Sequence, residues 1–284
     1  MDLSKAEDFV GTEVCKALSA LEQEMGIHVL FAAESGSRMW GFPSKDSDYD
    51  VRFIYARSAQ YYAYREYLSR DDLNGRDTVE WFTKSPQGDD LDLHGWDVTK
   101  TVGLLKASNP SLHEWLSSST IYVNSPWTED MRVCANTRWS PQAAYGHYRS
   151  MAVRNYKEYL QTDRVRYKKY LYTIRPILCA DYVVTKLERP PMDFLKLIEA
   201  SALPVEPWRE MLDLYRRKLA GEELDDCPVN PVLNYFIEDS IGRQESVAAY
   251  MGANCKWPNC KREDNTDLIQ LIQQAMTLTH PFLA

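Results

Sequence analysis

The chain has 284 residues, 44% of them hydrophobic, and a formal net charge of −8. That is enough apolar content for a sizeable core in one large domain or two. No apolar run approaches the ~18 residues of a membrane span, and the acidic balance argues against a broad, non-specific grip on nucleic acid, which needs a positive surface. The opening residues lack a basic segment followed by an apolar stretch, so no secretory signal is expected and a cytoplasmic location is. Six cysteines scattered from Cys15 to Cys260 do not form a disulfide framework. Cys255 and Cys260 read as ordinary thiols in a loop rather than half of a zinc site.

In chain order, residues Ser4 to Met25 carry Val10, Val14, Leu18 and Leu21 at the spacing of an amphipathic helix. His28 to Ala33 reads as a strand. The Gly36-Ser37 step then gives a tight turn with accessible backbone N–H groups, suited to cradling a phosphate, and a short helix is expected before Pro43. Asp48 to Ala56 is rich in β-branched and aromatic residues and predicts a second strand. Side chains alternate along a strand, so Asp48 and Asp50 point the same way. Two carboxylates so close repel unless a cation sits between them, and Mg²⁺ suits one or two carboxylates plus substrate phosphates.

A helix is expected over Ser58 to Leu68 and a strand over Asp77 to Thr83. In Leu91 to Trp96, Leu91 and Leu93 alternate with Asp92 and His94 as in a half-buried strand. An adjacent antiparallel strand would set Asp92 beside Asp48 and Asp50. Asp97 is the alternative third acid. It has the opposite parity unless a bulge at Gly95 resets the phase, and it precedes a helical pattern that it would cap. Asp92 is preferred. Helices follow near Thr99–Lys106 and Ser111–Leu116.

From Pro141 onward the pattern is almost wholly helical, with breaks at Pro190-Pro191, Pro204 and Pro207 and a last amphipathic helix over Thr266–Thr277. Between Arg149 and Arg175 lie eight basic residues interleaved with tyrosines and opposed only by Glu158 and Asp163. On one continuous helix, Arg164, Lys168, Tyr172 and Arg175 share a face beside an apolar stripe of Tyr167, Leu171, Ile174 and Leu178. Such a face suits a triphosphate or the backbone of an RNA end, or else is a solvated helix side.

The stretch Ser-Gly-Ser-Arg-Met-Trp-Gly-Phe followed by Asp-Ser-Asp-Tyr-Asp-Val-Arg-Phe-Ile-Tyr resembles the DNA polymerase β-like nucleotidyltransferase superfamily. It looks closer still to a branch of bacterial and phage nucleotidyltransferases linked by name to RNA repair. Trp96-Asp97-Val98-Thr99-Lys100, Ser108-Asn109-Pro110 and Lys168 to Leu178 extend the likeness over roughly Val29 to Pro191. The resemblance implies an α+β fold: a small mixed β-sheet nucleotidyltransferase core flanked by helices (residues 1–130), then a mainly helical C-terminal domain (131–284).

It also implies a nucleotidyltransferase of the EC 2.7.7 type that moves a nucleoside monophosphate from an NTP to an acceptor hydroxyl, with a tRNA-like RNA end as the expected acceptor. Asp48, Asp50 and Asp92 would be both catalytic residues and ligands of Mg²⁺ or Mn²⁺. Gly36, Ser37 and Arg38 would bind the phosphates. The matching nucleotide-binding candidates in the helical part are Lys168, Lys169, Tyr172 and Arg175. A small molecule or a protein as acceptor, and a non-catalytic nucleotide sensor, remain open.

Overall fold

The computed structural model describes residues 3–64, 77–222, 227–254, 257 and 264–279. Cys255, Cys260 and the end of the helix expected over Ser58–Leu68 lie outside them. The elements in order are α1 (Leu3–Met25), β1 (His28–Glu34), α2 (Gly36–Met39), β2 (Tyr49–Ala56), α3 (Ala59–Tyr64), β3 (Thr78–Lys84), β4 (Asp90–Asp97), α4 (Val98–Lys106), α5 (Pro110–Leu116), β5 (Ile121–Asn124) and α6 (Pro126–Thr137). There follow α7 (Pro141–Tyr159), β6 (Arg164–Val165), α8 (Lys168–Lys186), α9 (Phe194–Glu199), α10 (Val205–Leu219), β7 (Cys227–Pro228), α11 (Pro231–Asn254) and α12 (Thr266–Leu278). No helix among the described residues is long and apolar enough to cross a membrane.

The chain forms two compact units. The first comprises residues 1–39, 47–139 and 261–284; the second comprises 40–46 and 140–260. The boundary expected near 130 falls inside α6, and α12 rejoins the first unit.

In the first unit, five strands form a mixed sheet in the order β3-β4-β2-β1-β5. Val51, Phe53 and Tyr55 of β2 and Leu91 and Leu93 of β4 point to one face. There they meet Val10, Val14, Leu18 and Leu21 of α1, all buried. Ile54 and Ala56 point to the other face, against α4, α5, α6 and α12, where Trp96 stacks on Trp115 at 3.7 Å. Layers on both faces explain why β2 ends in the unbroken apolar run Phe53–Ala56. The α+β architecture is thus the one expected, with a small mixed sheet flanked by helices.

One pairing differs from expectation. β2 and β4 run parallel, with Asp50 opposite Asp92 and Arg52 opposite His94; the antiparallel neighbour of β4 is β3. Side-chain parity is the same for either direction, so alternation alone does not distinguish them. The register passes through Gly95 without a shift, Gly95 lying opposite both Phe53 and Val79. Gly95 serves a close approach instead: a Cβ there would stand 2.1 Å from the Phe53 ring. Asp97 therefore stays on the opposite face from Asp92.

In the second unit α7 and α8 pack together, with Leu171, Ile174, Ile177 and Leu178 wholly buried. Arg164 does not join the helix. It pairs with Pro228 in the short β6–β7 ribbon, and α8 begins at Lys168, so the expected four-residue basic face loses its first member. The segment 40–46 contributes core to this unit. Phe42 is fully buried, with ring centroids 5.5 Å from Phe194, 5.8 Å from Trp40 and 6.1 Å from Tyr172. The Phe194 amide donates to the Trp40 carbonyl at 2.9 Å.

Candidate active site

Gly36 opens the turn after β1 with φ +59°, the left-handed region that glycine enters without penalty. Space demands glycine as well. A Cβ would lie 1.9 Å from Asp50 Oδ2 and 2.7 Å from its Cγ. The turn is therefore packed directly on the Asp50 carboxylate. The backbone of Asp50 is fixed from the same side: its carbonyl accepts from the Ser35 amide at 2.8 Å, and its amide donates to Glu34 Oε1 at 3.0 Å.

Asp50 and Asp92, opposite in the parallel register, converge on one point. Arg52 Nη2 donates to Asp50 Oδ1 at 2.9 Å and to Asp92 Oδ2 at 3.0 Å. Its Nη1 also reaches the Asp92 carbonyl at 3.0 Å. Burial raises the pKa of Asp50; Arg52 opposes this, while the charges of Asp92 and Asp48 add to it. Asp48 is exposed, one residue before β2 begins. Burial and the Arg52 charge together lower the pKa of His94, beside Arg52 on the same face.

Ser37 is buried within α2. Arg38 turns onto the loop that leads into β2. It donates to the carbonyls of Ser47 at 2.8 Å and Asp48 at 3.2 Å, and its guanidinium lies 3.6 Å from the centre of the Tyr49 ring. Arg38 thus holds the backbone that carries Asp48. Asp97 is buried and caps α4: its Oδ1 accepts from the Thr99 amide at 2.8 Å and its Oδ2 from the Tyr62 hydroxyl at 2.8 Å.

Glu34 was not singled out by the sequence. It is buried at the end of β1 and accepts from the Asp50 amide and the Tyr122 hydroxyl. Burial outweighs these bonds and pushes its carboxyl up to about 7. Arg52 was missed too, although the alternation Asp48, Asp50, Arg52 puts it on the same strand face.

The remaining candidates lie in the second unit. Lys169 sits 3.8 Å from the centre of the Tyr159 ring. Burial lowers its pKa, and so do the neighbouring charges of Lys168 and Arg166. Lys168 and Tyr172 are half-buried on α8. Arg175 is 2% exposed, its guanidinium 4.3 Å from the centre of the Trp40 ring and its Nη2 3.8 Å from Met192 Sδ. It is a core cation of its unit.

Among the described residues no three His, Cys, Asp or Glu side chains are arranged to hold a metal ion. The donor chemistry nevertheless fits Mg²⁺ or Mn²⁺. Asp50 and Asp92 offer hard oxygens that already converge on one cationic nitrogen, and such ions take one or two carboxylates and complete their shell with phosphate and water.

The family model described as "RNA repair pathway DNA polymerase beta family" matches residues 10–258, and the chain belongs to that family of nucleotidyltransferases. It is 42% identical over 240 residues to the uncharacterized protein YcgL of Bacillus subtilis (strain 168), covering 84% of this chain and 88% of that protein. Among solved structures, a nucleotidyltransferase-like protein from Exiguobacterium sibiricum 255-15 aligns over 93% of this chain and 89% of its own, at 11% identity and a TM-score of 0.30.

Proposed function

We propose that this protein is a metal-dependent nucleotidyltransferase that moves a nucleoside monophosphate from an NTP to a hydroxyl at an RNA end. The observation that carries the reading is the convergence of Asp50 and Asp92 on one cation position, with Gly36 packed against the first of them. Asp48, Asp50 and Asp92 would hold a divalent ion, Mg²⁺ or Mn²⁺, which when bound would neutralise phosphate charge and ease deprotonation of the acceptor.

The chain's own residues supply positioning. The backbone of the Gly36-Ser37 turn binds the outer phosphates of the NTP. Arg38 fixes the loop carrying Asp48, and Glu34 fixes the backbone of Asp50. Asp92 accepts the proton of the acceptor hydroxyl. As the new bond forms from that oxygen to the α-phosphorus, the bond to the β-bridging oxygen breaks and pyrophosphate leaves. Orientation and charge neutralisation account for most of the rate gain in such displacements.

RNA as acceptor is supported by the RNA-repair description of the family. The test is incubation with each α-labelled NTP and Mg²⁺ in three mixtures: total cellular RNA, an RNase-treated protein lysate, and a small-molecule extract. Label on RNA that survives denaturing electrophoresis supports the proposal. Label on protein or small molecules alone overturns the RNA acceptor, and no label in any mixture overturns the transferase.

A further inference from the structure

Arg52 is the cation already resident between the two carboxylates. It leaves the same β2 face as Asp50, two residues on, and reaches across to the neighbouring strand. One nitrogen, Nη2, serves both Asp50 and Asp92 at 2.9 and 3.0 Å, and the side chain is only 18% exposed. Its second nitrogen is held by the carbonyls of Val51 at 3.3 Å and Asp92 at 3.0 Å. A guanidinium anchored at both nitrogens is not a loose surface partner, and the pairs it makes are half-buried, where charge pairing matters more than at the surface.

Arg52 engages one oxygen of each of the two carboxylates that would hold a divalent ion. A divalent ion and the guanidinium both carry positive charge, and the two carboxylates cannot serve both at full strength from one point. We propose that Arg52 is the competitor that sets metal affinity at this site: it holds Asp50 and Asp92 together before a divalent ion arrives and must release them when one binds. This rests on the metal-dependent reading above. The consequence is selectivity for the metal–nucleotide complex over the bare ion. A triphosphate brings the negative charge that a released guanidinium needs, whereas a bare divalent ion leaves an unpaired, half-buried arginine beside it.

The test is Mn²⁺ binding without nucleotide, followed by electron paramagnetic resonance titration of wild type, Arg52→Gln and Arg52→Lys. Melting curves are recorded in EDTA and in Mn²⁺, and circular dichroism checks that each variant is folded. Arg52→Gln is expected to bind Mn²⁺ at least ten-fold more tightly than wild type, with Arg52→Lys between them, since lysine keeps the charge but not the two-nitrogen fork. In EDTA the melting temperature of Arg52→Gln should fall, because two carboxylates are left facing each other. Mn²⁺ should raise it by more than it raises wild type.

Asp50→Asn distinguishes the two levels of failure. If wild type binds Mn²⁺ in a manner lost in Asp50→Asn, but folded Arg52→Gln binds no more tightly, the competition is wrong and the metal site stands. If no Mn²⁺ binding in any variant depends on Asp50, the metal reading falls and the competition with it. Should Arg52→Gln fail to fold, Arg52→Lys binding Mn²⁺ as weakly as wild type would overturn the proposal.

Discussion

Replacing Gly36 by alanine perturbs one atom in the most constrained place in the sheet. The new Cβ would stand 1.9 Å from Asp50 Oδ2, where ordinary contact begins at 3.4 Å, so either the turn or the carboxylate must give by about 1.5 Å (3.4 minus 1.9). The turn is tied to β2 through the Ser35–Asp50 backbone bond, and the Asp50 amide to Glu34. The carboxylate is therefore the part that moves, and it leaves Arg52 and Asp92. Left-handed φ at a non-glycine residue costs about 1–2 kcal/mol, which lowers the melting temperature by about 2–4 °C per kcal/mol in a domain of this size. A displacement of about 1 Å at a reacting group costs on the order of 100-fold in rate. The assay is transfer of α-labelled NTP under saturating conditions, beside a thermal melt of the same preparation. A folded Gly36→Ala protein, slightly less stable and about 100-fold slower, is expected. Turnover within a few-fold of wild type would refute the link between the turn and Asp50.

Two further outcomes follow from residues near the site. Asp92→Asn should stop transfer with the melting temperature nearly intact, whereas Asp97→Ala should lower stability by about 1–2 kcal/mol, through the lost cap of α4 and the lost Tyr62 bond, and leave turnover close to wild type; kinetics and melts on the pair of variants check this. Glu34, held protonated in the folded state up to about 7 but releasing its proton at about 4.5 when unfolded, binds more protons folded than unfolded between those values. Its contribution to stability is therefore lost as pH rises from 4.5 to 7, up to a ceiling of about 3 kcal/mol. Denaturant melts across that window should show the decline, and Glu34→Gln should flatten it.

Much of the first unit was legible because its strands alternate cleanly. Parity put Asp50 and Asp92 on one face, where the structure joins them through Arg52, and the cap role that the sequence offered for Asp97 is the one it has. What parity does not carry is direction, so the parallel β2–β4 pairing was missed. Arg52 escaped because an arginine in a strand reads as an ordinary edge cation until its opposite residues are known. Glu34 escaped because a carboxylate ending a hydrophobic strand looks solvated, whereas Tyr122 and the Asp50 amide enclose it.

In the second unit the helical wheel treated cations as an exposed face, yet Arg175 is buried under Trp40 and Arg164 lies in a ribbon. A short helix was expected to run up to Pro43, but it ends at Met39, and Phe42 beyond it is fully buried against Trp40. No local pattern reveals that residues far apart in sequence share a core, which is also why the return of α12 to the first unit was not foreseen.

The most direct test of the central claim is a crystal structure with Mn²⁺ and a non-hydrolysable NTP, collected at a wavelength that makes manganese visible by its anomalous signal. A manganese peak within bonding distance of the Asp50 and Asp92 carboxylates, with the nucleotide phosphates completing its shell, is the expected result. Nucleotide bound with no metal at this pair of aspartates, Arg52 still bridging them, would contradict it.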